Sequence, residues 1–368
     1  LFAPMAANAS EANLMDVSSY SQVDVEVTQD TFKPLSTKNP LLAGGEGLGQ
    51  NLTNDFDTDT FSSTTSASFT SNWIIGAVDG LAAEDQVGAT YDWSVDLSTS
   101  FDGNDSLDVT LEAGEGDATL QEMDLTDTGD AINVGTISYT RSVGDYLTVY
   151  VSPAGGGAGS ALFTTACSYE GQTNTLDDCA NALAGMDFGA SSAFASSVEL
   201  DNGLSASFGY EGSDDSTGLA TEQGVDAYAF NFAYMQDTYG VSYTFMDQEL
   251  TETQAFNAFY APSLDSFPSV SFGMEWTHTE GAAENADETT HYFIGAQFDN
   301  IGNGTLGAAV GSKAPYLEDT DAETMWEAYY AYNYADGITI TPVVYVRENA
   351  SSAVDDETGI ILKTTFEF

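Results

Sequence analysis

Side chains suited to covalent or metal chemistry are scarce in this sequence. It has two cysteines, Cys167 and Cys179, and two histidines, His278 and His291. With only two of each in the chain, a zinc site is not expected. The cysteines suit a single loop disulfide in an oxidising compartment, or two free thiols in a reducing one. The G-x-S-x-G, H-E-x-x-H and Walker A patterns are absent, and nothing in the sequence sets a serine and an acid around either histidine. The acidic runs Asp214-Asp215 and Asp355-Asp356-Glu357 lack the ligand spacing of a calcium loop and read as solvated charge. No enzyme, cofactor or metal follows from these residues. Carboxylate is what the chain has in quantity: 58 Asp+Glu face 6 Lys+Arg in 368 residues, a net charge of -52.

That charge excludes nucleic acid, whose phosphates need Lys and Arg, and it excludes a polybasic membrane anchor. It does not make the chain disordered. Aromatic residues reach 12%, with 19 Tyr and 21 Phe, whereas disordered acidic segments are poor in them. No apolar run approaches the roughly 18 residues of a spanning helix. Strands that cross a membrane are shorter and alternate apolar with polar, so they leave only a weak hydropathy signal.

Alternation of that kind dominates from about residue 61. Tyr228, Phe230, Phe232 and Tyr234 oppose Ala229, Asn231 and Ala233; Val270, Phe272, Met274 and Trp276 oppose Ser271, Gly273 and Glu275. Clear segments also surround residues 91–97, 107–113, 241–245 and 326–334. Weaker ones cover 65–78, 131–141, 146–152, 190–200, 204–210, 255–260, 291–298, 305–311, 338–347 and 360–368. Sixteen candidate strands result, an even number, as closed bacterial barrels require. Tight Gly/Asn/Asp joins such as Asp102-Gly103-Asn104-Asp105 and Asp201-Asn202-Gly203 alternate with long acidic ones at 153–189, 211–226, 279–290, 312–323 and 348–359. Short turns at one end and long loops at the other are the rhythm of a transmembrane antiparallel β-barrel.

Alternation alone does not say whether the apolar face meets lipid or a soluble core. The strand count without helices, the Tyr and Trp near strand ends and the wet character of the polar face favour lipid. By parity, the polar face of that barrel carries Asp92, Asp96, Asp108, Glu112, Glu275 and Glu327, with Arg347 on the penultimate strand and Lys363 on the last. Arg347 and Lys363 would either set a transverse field against loop acids or each neutralise a wall carboxylate. Arg141 shares the parity of Tyr139 and is expected to snorkel at a membrane interface, unless a bulge at Gly135 turns both to the other face. His291 is expected to face the lumen near a strand's outer end. Rings of carboxylate favour cations, an effect that weakens at about 1 M salt, where the screening length is about 3 Å.

Three regions follow. Residues 1–9 read as a signal-peptide remnant, with Ala7-Asn8-Ala9 fitting the cleavage pattern, or as an Ala-rich arm. Residues 10–60 read as an N-terminal extension and linker, and residues 61–368 as the barrel.

Several stretches resemble the porins of marine unicellular cyanobacteria: Asn174-Thr175-Leu176-Asp177-Asp178-Cys179, Leu107-Asp108-Val109-Thr110, Thr305-Leu306-Gly307-Ala308-Ala309, Thr339-Ile340-Thr341-Pro342 and Asp355-Asp356-Glu357-Thr358-Gly359, with Asn13-Leu14 and Val17-Ser18-Ser19-Tyr20 like that family's mature N-terminus. Each is short; their order along one chain carries the resemblance. It implies an outer-membrane channel for small hydrophilic solutes and ions, embedded in the lipid bilayer and forming a homotrimer. The family's S-layer-homology module finds no room, since Val25–Pro34 runs almost directly toward the barrel. In general porins the third outer loop narrows the pore. Here that loop is 153–189, with Cys167, Glu170, Asp177, Asp178 and Cys179 as the expected constriction. The resemblance also makes the last strand, with Ile360, Leu362, Thr364, Phe366 and Phe368 on one face, the signal read by the barrel-assembly machinery.

Two alternatives stand beside the channel: a barrel plugged by residues 1–60 that serves as a structural or adhesive surface protein, and a secreted, salt-adapted β-sandwich. A barrel is expected to leave membranes only in detergent and to aggregate when detergent is withdrawn. Partition of the expressed protein between buffer and detergent extracts checks this, and full recovery in buffer would select the sandwich.

Overall fold

A computed structural model describes residues 64–80, 86–186, 192–212, 219, 226–263, 267–283, 287–317, 320–349 and 355–368. The expected signal remnant, the 10–60 extension and Asp214-Asp215 lie outside the described residues.

The alternating segments form strands β1 (Thr65–Asp79), β2 (Gln86–Thr99), β3 (Asp105–Glu115), β4 (Asn133–Val143), β5 (Leu147–Ala154), β6 (Ser192–Glu199), β7 (Leu204–Gly212), β8 (Asp226–Gln236) and β9 (Tyr239–Gln248). The series continues with β10 (Thr251–Tyr260), β11 (Ser269–Thr279), β12 (Glu288–Phe298), β13 (Gly304–Ser312), β14 (Tyr316–Leu317), β15 (Thr324–Ala335), β16 (Ile338–Arg347) and β17 (Glu357–Glu367). Each long strand pairs antiparallel with its sequence neighbours, and β1 pairs with both β2 and β17. The sheet is therefore a closed barrel of sixteen long strands, as the alternation leads one to expect. The additional strand, β14, is a two-residue extension that continues the pairing of β12 above β13.

Closure joins the two ends of the described sheet. The amide of Phe69 donates to the Phe368 carbonyl at 2.8 Å, and Phe368 returns the bond at 3.1 Å. The Phe69 and Phe368 rings lie 4.9 Å apart, and those of Trp73 and Phe366 5.0 Å apart. An edge strand left unpaired in lipid would expose a row of unsatisfied backbone groups, so this seam is what allows the sheet to sit there.

The pleat sorts the faces. Trp73, Ile75, Phe230, Phe232, Phe272, Ile294, Ile360 and Leu362 are exposed on the outside. Their neighbours in sequence, among them Ile74, Ala229, Asn231, Ser271, Phe293 and Ile361, are buried on the inside. Gly135 is the extra residue of a bulge: Thr110 faces Thr136 and Leu111 faces Val134. Beyond it Arg141 bonds Asp102 at 2.7 Å and Asp105 at 3.7 Å, at the short-turn end of the barrel.

One join at the long-loop end departs from the expected rhythm. The connection between β9 and β10 sits at the long-loop end yet is only Glu249-Leu250. The connection between β3 and β4, residues 116–132, is long, and we call it L2. It carries a 3-10 turn at Gln121–Met123. The connection from β5 to β6, described through Met186, we call L3; it opens with a short helix, α1 (Ala158–Leu162).

Candidate functional site

The inner wall has two regions. On β2 and β3, Asp92, Asp96, Asp108 and Glu112 are partly exposed and meet the lumen. Hydroxyl and amide neighbours hold them: Asn72 Nδ2 donates to Asp92 at 2.9 Å, Thr110 Oγ1 to Asp96 at 2.6 Å and Ser106 Oγ to Asp108 at 2.6 Å. From β8 to β10 the inner wall is covered instead: Asn231, Thr244 and Asn257 are each 0% exposed. L3 covers them.

A loop inside a barrel must find partners for its backbone, since little water reaches it there. The amide of Ala158 donates to Glu211 Oε1 on β7 at 2.6 Å. The chain then runs extended, so alternate amides point the same way. Those of Thr164, Ala166, Ser168, Glu170 and Gln172 all turn to the wall. They reach Asn231 on β8 (2.9 Å), Ser242 on β9 (2.9 Å), Ser271 on β11 (2.9 Å), Gln297 on β12 (3.0 Å) and Glu327 on β15 (3.1 Å). The returning limb is held by Asn257 Nδ2, which donates to the Cys179 carbonyl at 2.8 Å. Glu275 Oε2 accepts from the amides of Leu183 (3.0 Å) and Ala184 (2.9 Å). A Cys167–Cys179 disulfide ties the two limbs together, a closure worth about 3 kcal/mol in the chain-entropy account.

Small residues leave space for this path. A Cβ on Gly273 would overlap the Cys179 carbonyl, and one on Gly295 or Gly209 would meet Tyr169 or Phe163. The sequence reading missed this signal: on β7 to β13 the polar face is made largely of Gly, Ala, Ser, Thr and Asn, leaving a groove one extended chain wide.

The tip of L3 meets L2. Leu176, Tyr169 and Cys179 pack with Leu120 and Met123 of L2 and with Ile74, Phe293, Val343 and Ile361 of the wall, in one buried cluster. Inner-face residues that stay partly exposed, among them Asn72, Asp92, Asp96, Asp108, Glu112 and Lys363, lie on β1, β2, β3 and β17 and mark the open side of the lumen. Asp177 and Asp178 border it, with Cys167 and Cys179 beside them, in a cavity of about 390 Å³ on the inner side of L3. Desolvation, then the charge of Asp178 and that of Asp124, push the Asp177 carboxyl up to about 7, although its side chain touches lumen water. Desolvation, then the charge of Glu275, push Asp178 up to about 7. The Glu170 side chain is exposed.

The remaining expected pore residues divide. Glu275 and Glu327 point inward but are 2% and 1% exposed, their carboxylates occupied by L3. Tyr169 Oη adds a bond of 2.7 Å to Glu327. Arg347 lies 3.2 Å from Glu122 of L2 and 3.6 Å from Glu357. Lys363 closes no ion pair among the described residues, and its charge interacts with Asp92, Asp177, Asp124 and Glu327. Arg347 is in register with Glu357 and Lys363 with Thr341, which puts the two cations about 20 Å apart along the barrel. His291 is buried on the inner face, its Nδ1 3.0 Å from Ser312 Oγ. In the run Asp355-Asp356-Glu357, Asp356 accepts from the Asn349 amide at 3.1 Å and Glu357 from Tyr345 Oη at 3.2 Å.

No protein-family model and no curated protein matches this sequence. Solved structures do match. A variant of the porin of Rhodopseudomonas blastica superposes with a TM-score of 0.56 at 14% identity, over 83% of this chain and 100% of that one. OprB of Pseudomonas putida superposes with a TM-score of 0.60 at 11% identity, over 83% of this chain and 94% of that one. The chain has the porin fold. At these identities the likeness concerns architecture, and the site rests on its own geometry.

Two outcomes follow for L3. An acid whose native value lies above its unfolded one, near 3.9, holds extra protons in the native state, so its contribution is complete below about pH 4 and is lost as pH rises through about 7. Asp178→Asn is therefore expected to match the parent in thermal stability at pH 4 and to exceed it at pH 8, in detergent-folded protein. Gly273→Ala, which forces the Cys179 carbonyl away, is expected to cost about 1–3 kcal/mol, measured by denaturant unfolding of the same preparation.

Proposed function

We propose that this chain is an outer-membrane porin: a passive channel for small hydrophilic solutes and ions that favours cations, embedded in a Gram-negative type outer membrane. One observation carries the reading. A closed barrel with an apolar outer face keeps a carboxylate-lined strip of inner wall in contact with water, while an inward-folded loop covers the rest. The exterior matches hydrocarbon, and the lumen offers ions an acidic path. Asp92, Asp96, Asp108 and Glu112 line that path. Glu170, Asp177 and Asp178 border its narrow part, and the Cys167–Cys179 bridge stiffens it. Transport needs neither cofactor nor covalent chemistry.

Finer features belong to the same reading. A homotrimer is in keeping with the porin architecture, which is an argument by analogy. Phe366 and Phe368, at the closing seam, would present the last strand to the barrel-assembly machinery. The short stretches quoted above support a likeness to the porins of marine unicellular cyanobacteria.

A second reading, a plugged barrel with a structural or adhesive role, draws support from the buried cluster that L2 and L3 build inside the lumen. Planar-bilayer recording across a KCl gradient separates the two. The channel is expected to give stable open steps with a reversal potential on the cation side, larger at 0.1 M than at 1 M salt because screening grows. Open steps without a reversal potential would remove the cation preference. No conductance from demonstrably inserted protein would select the plugged barrel.

A further inference from the structure

L2 takes no part in the sequence-level expectation for the pore, yet it is bound directly to the tip of L3. The Asn174 amide donates to the Glu122 carbonyl at 2.9 Å, and Thr175 Oγ1 donates to Glu122 Oε2 at 2.9 Å. The other oxygen of that carboxylate lies 3.2 Å from Arg347, which is also 3.6 Å from Glu357. One side chain thus joins L2 to L3 and to β16, and through Arg347 to β17. Leu120 and Met123, on either side of it, are each 3% exposed within the shared cluster. L2 is therefore anchored inside the barrel by apolar contact and by a bridged carboxylate.

The anchored turn ends on Asp124. This residue has left-handed backbone (φ 45°, ψ 50°), and its amide closes the 3-10 turn on the Gln121 carbonyl at 3.3 Å. The reversal puts an exposed carboxylate next to two buried neighbours, Glu122 and Met123. Because the turn is held inside the wall, that exposure is to lumen water. The charge of Asp124 acts on Asp177 of L3 and on Lys363 of β17. It therefore acts both on the acidic tip of L3 and on the inward cation that closes no ion pair among the described residues.

We infer that Asp124 is a selectivity-determining residue of this pore, and that Glu122 is the positioning residue that holds it there. The inference rests on the channel reading and deepens it: the constriction is built from two loops, and the solutes favoured are hydrated cations and small molecules carrying an ammonium or amidinium group.

The test is bilayer recording of the full detergent-folded chain in a low-salt KCl gradient at pH 8. Asp124→Asn is expected to lower the potassium-to-chloride permeability ratio about twofold, the order of effect of one water-screened charge beside the ion path, with the conductance step little changed. Asp145→Asn, in the exposed turn between β4 and β5, is expected to leave the ratio alone. Glu122→Ala frees the turn, so the step is expected to grow and the ratio to fall together, and adding Asp124→Asn to it is expected to change nothing further. An Asp124→Asn ratio equal to the parent's overturns the selectivity role. A full, independent effect of Asp124→Asn in the Glu122→Ala background overturns the positioning role. If Glu122→Ala does not fold, Glu122→Gln, which keeps an acceptor for Thr175 and loses the ion pair with Arg347, serves in its place. Absence of any step from the inserted parent protein would instead remove the channel reading itself.

Discussion

Everything inside this barrel depends on where the backbone amides of one loop find acceptors. An extended segment cannot lie within a protein wall with its N–H groups unanswered, because each would cost the desolvation of a peptide donor, about 1–3 kcal/mol. L3 resolves this with one acceptor on each of five strands, spaced so that every second amide is served. The acceptors are short neutral side chains where the loop hugs the wall and carboxylates where it turns or ends, at Glu211, Glu275 and Glu327. Three of the carboxylates on the inner face are thereby structural partners of a loop.

This division explains how so acidic a chain assembles a lumen at all. Carboxylates facing one another across a narrow space repel. Here some are taken up by amides, Glu122 and Glu357 share Arg347, and Asp177 and Asp178 have values raised to about 7. The acids left to water, Asp92, Asp96, Asp108 and Glu112, lie along two neighbouring strands with hydroxyls and amides between them. The water-facing charge of the inner wall is thus a strip along one side, which L2 touches where the Thr126 amide donates to Asp92 Oδ2 at 3.3 Å.

Much of the barrel was legible in the sequence because period two is imposed by the pleat and reinforced on every strand by lipid outside and polar groups inside. The face of Phe230 and Phe232, the bulge at Gly135 and the third-loop position of Cys167 and Cys179 could all be read that way. The site was less legible. Parity sets Glu275, Glu327 and Asp96 on one face, but it does not say that a loop distant in sequence will occupy the first two and leave the third partly exposed. Arg347 and Lys363 look like a pair by strand adjacency, and register separates them. L2 went unnoticed because its anchors, Leu120, Met123 and Glu122, show no periodicity; their meaning comes from Leu176, Thr175 and Arg347, far away in the chain.

The reach of these contacts bears on the order in which the molecule is made. The bond from Tyr169 to Glu327 spans 158 positions, and the Asn257 contact to Cys179 spans 78. Contacts so distant form late, since the chain between them must first be ordered. L3 therefore has no complete set of acceptors until β15 has joined the sheet. The seam between β1 and β17 joins positions further apart still, 293 between Asn72 and Thr365, so by the same reasoning L3 finds its acceptors on a sheet that has yet to close.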